Sequence, residues 1–174
     1  MSTFMETAGR TRTVSWDDPM MLARAVPTMS GIEYIRALAG GSLPASPMVL
    51  LIGLTIVEVD EGRVVFEVEP AEYHYNAIGV AHGGLACTAL DSAMGCAVHT
   101  ILPAGTGYTT LEIKVNLLRP LTLETGPVRC EGKTIHVGRT VATAEARMVD
   151  RNGKLYAHGT CTCMIFRGPA EDEG

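Results

Sequence analysis

The apolar positions change their period twice along the chain. Residues 1–18 mix Thr, Ser, Arg and Gly without any period, which predicts a loosely held arm. Ser30-Gly31-Ile32-Glu33 then has the S-x-x-E spacing of a capping box, with Gly40-Gly41 as the stop, and predicts a helix at about 31–39. Ser46-Pro47 opens another short helical turn through Leu51, because proline at a first helical position loses no needed donor. From there the period is two. In 53–59 and 63–69, Val64, Phe66 and Val68 alternate with Val65, Glu67 and Glu69, and Asp60-Glu61-Gly62 is the turn of a hairpin.

Gly84 to Leu102 is rich in Ala and Leu, meets no proline until Pro103, and is long enough for a five-turn helix. Its polar or small members, Thr88, Asp91, Ser92, Gly95 and His99, form one stripe, so the helix should be buried nearly all round with a single polar seam. Strands follow at 107–118, 127–137, 139–149 and 154–166, with Asp150-Arg151-Asn152-Gly153 as the last hairpin turn. In 107–118, Leu111, Ile113, Val115 and Leu117 alternate with Glu112, Lys114 and Asn116. The expected class is α+β: an antiparallel sheet wrapped on one long helix.

Composition narrows the picture. A chain of 174 residues with 47% apolar and 19% charged types buries a sizeable core as one domain. The formal charge of −5, without a basic run, excludes a broad nucleic-acid-binding face, and the apolar content excludes general disorder. The apolar stretches 47–54 and 85–102 are too short or too interrupted to span a bilayer. Residues 1–12 carry Glu6, Arg10 and Arg12 and lack the apolar segment of a secretory signal. Five cysteines without a C-x-x-C pair read as reduced core residues, and a cytoplasmic location is expected.

The chemistry concentrates between residues 76 and 91. Gly83-Gly84 at the head of the long helix would let a substrate approach unpaired N–H groups where the macrodipole favours negative charge, an oxyanion site; the alternative is a tight strand-to-helix turn. A carboxylate at Asp91, inside an Ala/Leu helix, needs a hydrogen-bonded partner such as Thr88 or Ser92, or a role as base or nucleophile. The helix rises about 10 Å from Gly84 to Asp91, at about 1.5 Å per residue, so one chain cannot easily set both groups on one carbonyl. Two antiparallel copies across a two-fold axis can, which predicts an obligate dimer. His82 reads as a residue that fixes the loop rather than as a base, and the histidines and cysteines show no metal-ligand spacing.

Tyr75-Asn76, Gly79 and His82-Gly83-Gly84, followed by Asp91 eight residues after Gly83, resemble the signature of hot-dog-fold acyl-CoA thioesterases of the phenylacetate-degradation (PaaI-like) type. The order of elements is similar over about 45–166, including Gly138-Arg139 and Gly-Lys-Leu-Tyr-Ala-His in the last strand. The resemblance implies a sheet of about five strands around the helix, homodimers often paired into tetramers, and thioester hydrolysis without metal or other cofactor. It implies that Gly83 N–H and the Asn76 amide polarise the thioester carbonyl while Asp91 of the partner chain activates water or attacks. Thr110, with Thr109 as substitute, would orient that water. His82, Gly84 and Thr88 would stand at the substrate, and Arg119 and Arg139 are the cations expected at the phosphates of coenzyme A. The expected divisions are an N-terminal extension with a short helix (1–45), the hot-dog domain (46–167) and an acidic tail (168–174). The other readings are a non-catalytic acyl-CoA or lipid-binding module on the same fold and, lacking a convincing Asp/His loop pair, an enoyl-CoA hydratase.

Overall fold

The computed structural model describes residues 9–167, so the tail 168–174 and the first eight residues of the arm lie outside the described residues. In chain order the elements are α1 (Met20–Ala25), α2 (Gly31–Ala39), α3 (Pro47–Ile52), β1 (Thr55–Asp60), β2 (Arg63–Val68), α4 (Gly83–His99), β3 (Thr106–Leu117), β4 (Val128–Val137), β5 (Val141–Asp150) and β6 (Leu155–Arg167). The strands form one antiparallel sheet of six, ordered β1-β2-β4-β5-β6-β3, one strand more than the resemblance implied and equal to the six read from the alternation. Strand β3 crosses to the far edge and pairs with β6 instead of its chain neighbour.

Local chemistry explains the short elements. Glu33 accepts hydrogen bonds from the Ser30 N–H at 2.9 Å and the Ser30 hydroxyl at 2.6 Å, which starts α2. Pro47 stands at the head of α3, and Gly53 ends it with φ of 66°, a left-handed conformation that favours glycine. In the β1–β2 turn Gly62 has φ of 73°.

Sheet and helix bury one another. Ala86, Ala89, Leu90, Ala93, Met94, Ala97 and Val98 of α4 pack with Val64, Phe66, Val68, Val128, Cys130, Ala144, Ala146 and Met148 of the sheet, and Tyr34 and Ile35 of α2 join the same core. Small residues set the spacing. A Cβ at Gly132 on β4 would lie 2.3 Å from the Ala93 carbonyl, so the strand touches the helix backbone there. This is the hot-dog arrangement, a sheet curled around one long helix.

Two expectations need correction, and one helix lies outside them. Residues 9–18 are pinned rather than loose: Arg10 pairs with Glu72 at 2.6 Å, and Arg12 donates to the Leu50 carbonyl at 3.0 Å and to that of Leu51. The Arg12 guanidinium also stacks 3.9 Å from the Tyr73 ring centre, so it places a cation at the C-terminal end of α3. Helix α1, which the sequence did not predict, carries no fully buried residue; only Leu22 and Ala25 pack, half-buried, against the core. The polar seam of α4 is shorter than its sequence spacing suggested. Gly95 lies under Tyr108, whose hydroxyl would be 2.5 Å from an added Cβ, and His99 is buried between the rings of Tyr34 and Tyr108. Only Gly83, Gly84, Cys87, Thr88, Asp91, Ser92 and Cys96 remain half-open on the helix. Among the described residues no helix is long and apolar enough to cross a membrane.

Substituting Gly132→Ala forces a methyl group against the α4 backbone and is expected to destabilise the protein by about 1–3 kcal/mol. Chemical denaturation checks this; a midpoint equal to that of the parent would show that the helix can retreat from the strand.

Candidate active site

The loop between β2 and α4 is organised by buried His74. Its Nδ1 accepts from the Ala71 N–H at 3.0 Å, its Nε2 lies 3.0 Å from the Ile52 carbonyl, and its own carbonyl accepts the His82 N–H at 2.7 Å. One neutral imidazole, protonated on Nε2, therefore ties the end of α3 to the start of the loop and to the residue that caps α4. Burial and the nearby Arg12 charge pull its pKa below the ordinary value, which favours this neutral form.

Asn76 is held by the turn that follows it. Its side-chain oxygen accepts the N–H groups of Ile78 at 3.0 Å and Val80 at 3.4 Å, and Gly79 completes the turn with φ of 80°. The oxygen is thereby committed, and the amide NH₂ remains as a donor. His82 is the N-cap of α4: its Nδ1 accepts the Gly84 N–H at 2.9 Å. This occupies the Gly84 donor and fixes His82 in a structural contact, whereas the Gly83 N–H has no partner among the described residues. Asn76, His82 and Gly83 line one cavity of about 310 Å³ together with Leu117, Leu118 and Arg119. The Leu117 side chain lies so close that a Cβ at Gly83 would be 2.7 Å from it.

Asp91 faces elsewhere. Its Oδ1 accepts the Thr110 hydroxyl at 2.9 Å, so Thr110 rather than Thr109 meets the carboxylate. The register of β3 on β6 shifts between Thr110 and Glu112, a bulge directly beside the contact. Cys163 is the cross-strand partner of Thr110, and the Cys161 and Cys163 sulfurs are 3.7 Å apart beneath the pair. Burial first, and then the Asp91 charge, push the Cys96 thiol up to about 12. The Tyr108 phenol is raised well above its ordinary value chiefly by burial, so both groups beside the carboxylate stay protonated. Asp91, Thr110, Ser92, Cys96 and Tyr108 line a second cavity of about 400 Å³ whose remaining wall is mostly apolar: Leu38, Val49, Leu50, Leu54, Ile56 and Phe66.

The sequence-predicted residues thus fall into two groups. Asn76 and Gly83 share one cavity with Arg119 and His82, Asp91 and Thr110 share the other, and the two linings have no residue in common. Thr88 stands between them on the half-open strip of α4. Arg139 sits at the β4–β5 turn, lining neither cavity within one chain. Sequence reasoning missed His74 and Tyr108. His74 carries no motif around it, and Tyr108 is recognisable only once β3 is placed across Gly95. Among the described residues no group of three His, Cys, Asp or Glu side chains is set to hold a metal ion.

Comparison with known proteins follows the same residues. The thioesterase superfamily matches residues 78–157, which include α4, β3 and the Asp91–Thr110 pair. A Saccharolobus solfataricus protein provisionally named as an esterase is 32% identical over 135 residues, 78% of this chain and 94% of its own length. Human acyl-coenzyme A thioesterase 13 is 30% identical over 113 residues, covering 63% of this chain and 77% of its own. The E. coli PaaI protein from the phenylacetic acid degradation operon has the same fold, with a TM-score of 0.69 at 19% identity over 80% of this chain and 96% of that one. The chain belongs to the thioesterase superfamily. It is a thioester hydrolase of the hot-dog fold.

The lowered pKa of His74 has a definite sign. A histidine kept neutral in the fold contributes stability above its ordinary value of 6.5, and that contribution is lost as pH falls below it. Buried His99 acts in the same direction. The melting temperature should therefore drop as the buffer is taken from above 6.5 to below it; a profile that rises or stays level over that interval contradicts the role given to these two rings.

Proposed function

We propose that the protein hydrolyses acyl-CoA thioesters at two equivalent sites of a homodimer, each built from Asn76 and Gly83 of one chain and Asp91 and Thr110 of the other. The observation that carries this reading is the separation of the two groups into cavities with no common lining residue. The surface left open by one chain supports the pairing. Asp91 lies on the half-open strip of α4, and edge strand β3 leaves Leu111 59% and Leu117 55% exposed. A second copy laid antiparallel would cover that apolar edge and bring each glycine end to the other chain's carboxylate.

The thioester oxygen would lie between the Gly83 N–H, at the positive end of α4, and the Asn76 NH₂. Both donors are already oriented, so they can hold the charge that develops as the carbonyl carbon becomes tetrahedral. The Thr110 bond leaves the second carboxylate oxygen of Asp91 available as base toward water or as nucleophile. Collapse of the tetrahedral state breaks the carbon–sulfur bond and expels coenzyme A, which takes up a proton as the thiol. Attack by water leaves the free acid directly, whereas attack by Asp91 leaves a mixed anhydride that water then hydrolyses to the free acid and the Asp91 carboxylate. The mostly apolar cavity beside Asp91 suits the acyl group. Three of its wall residues, Leu38, Ala39 and Ala45, come from the 1–45 extension, and the 46–167 domain supplies the rest. The five cysteines, all free, agree with a reducing compartment such as the cytoplasm. Pairing of dimers into tetramers is part of the same reading.

Steady-state assays on a panel of acyl-CoAs test it. Asp91→Asn should lower kcat by about 10²–10⁴-fold through loss of the base. Asn76→Ala should lower it by about 10²–10³-fold through loss of an oxyanion donor. Turnover by the Asn variant at the parental rate would remove Asp91 from the chemistry.

A further inference from the structure

Three successive carbonyls at the end of α3 are held by groups from outside the helix. The Arg12 guanidinium donates to those of Leu50, at 3.0 Å, and Leu51, and His74 Nε2 donates to that of Ile52, at 3.0 Å. The guanidinium lies on the Tyr73 ring, and that ring meets His74 edge-on with centres 4.3 Å apart. Arg12 and Tyr73 both close over Gly53, where an added Cβ would lie 3.7 and 3.4 Å from them. Little else secures this end of α3. The helix has six residues and none fully buried; Val49 and Ile52 alone of them pack against the core. A helix this short is not stable in water by itself, so a cation across its last carbonyls contributes much of what holds it. The Asn76 loop is tied to the same point. On one side of its base the Ala81 N–H donates to the Leu121 carbonyl at 2.9 Å, and the Tyr75 hydroxyl accepts the Leu123 N–H at 2.9 Å. On the other side the anchor is His74, whose carbonyl accepts the His82 N–H while its ring reaches Ile52.

We propose that Arg12 is a positioning residue for thioester hydrolysis: by fixing the end of α3 it fixes His74, and through His74 the loop that presents the Asn76 amide. The inference rests on the reading of Asn76 as an oxyanion donor, and it brings the N-terminal arm, outside the matched residues 78–157, into the working of the site. Arg12 touches no substrate. It acts on the orientation of the donor, which must be set before charge develops on the thioester oxygen, and a small displacement of such a group is felt in the chemical step. The fork of the guanidinium is what the place requires, since it spans two carbonyls and stacks on a ring at once. Arg10 does not share the role: its pair with Glu72 is exposed on both sides and contributes little.

The test is a double-mutant cycle in kcat at saturating acyl-CoA, assayed well below the melting temperature of each variant. Arg12→Ala should lower kcat about tenfold, less than Asn76→Ala does, while Arg10→Ala stays within about twofold of the parent. Added to Asn76→Ala, Arg12→Ala should cost no further kcat, because the group it positions is already gone. Val49 and Leu50 also line the Asp91 cavity, so any change in KM is read apart from kcat, which carries the test. Should alanine unfold the chain, Arg12→Gln, which keeps part of the stem and one donor group, shows the same pattern at smaller size. Parental kcat in the Arg12 variants, a loss of the same factor with and without Asn76, or an equal loss in Arg10→Ala overturns the inference while leaving the Asn76 site standing. Asn76→Ala at the parental rate, or a wild-type protein that turns over no acyl-CoA, overturns the proposed site and the inference with it.

Discussion

Gly83 and Asp91 are eight residues apart on one rigid helix, and the rest of the account follows from that spacing. An α-helix rises about 1.5 Å per residue, so the amide at its head and the carboxylate two turns on are held about 12 Å apart. The sheet makes the separation permanent. Strand β4 presses on the α4 backbone at Gly132, and Tyr108 closes over Gly95. The helix can neither bend nor slide to bring the two groups together. A chemistry that needs both at one carbonyl therefore needs a second helix, and the half-open strip of α4 beside the exposed edge of β3 is where that helix would lie.

The same wrapping sets the electrostatics. Asp91 sits at the border between a dry core and the strip left open, and its direct partner is a neutral hydroxyl, Thr110, rather than a cation. Around it the phenol of Tyr108 and the thiol of Cys96 are kept protonated chiefly by burial, so neither of these two groups adds a negative charge beside the carboxylate. At the other end, His82 takes the Gly84 N–H and leaves that of Gly83 free. The sequence His-Gly-Gly thus divides its labour: one side chain caps the helix, one amide is consumed by the cap, and one has no partner among the described residues. Buried His74 holds the loop that carries Asn76 to the same place.

Much of this was legible because local chemistry and global fold agree. The capping box at Ser30–Glu33, the Gly62 turn and the alternation in the strands each point to the element that forms. The apolar character of 84–102 marks the central helix. Other features could not be read because they depend on residues distant in sequence. The order β6-β3 is a matter of topology, since alternation in β3 says nothing about its partner strand. Helix α1 is a six-residue surface helix with no fully buried residue, and only Leu22 and Ala25 turn, half-buried, to the core, too short a stripe to mark a helix. Gly95 and His99 fit the polar stripe by spacing, yet Tyr34 and Tyr108, from α2 and β3, cover them. The arm at 9–18 lacked periodicity because Arg10 and Arg12 hold it through charges and carbonyls, not through an apolar face. At the site, the resemblance favours Thr110 and keeps Thr109 as substitute, and the structure puts the Thr110 hydroxyl on Asp91 beside a bulge in β3 that alternation does not reveal.

Complementation between two defective chains tests the central claim most directly. Chains carrying Asp91→Asn and chains carrying Asn76→Ala, each inactive alone, are co-expressed and purified as a mixture. If each site draws Asn76 from one chain and Asp91 from the other, every hybrid dimer holds one intact site, and equal mixing restores about a quarter of wild-type activity. If the two residues act within one chain, no hybrid holds an intact site. The mixture then stays at the level of its inactive parents, and the two-chain site is wrong.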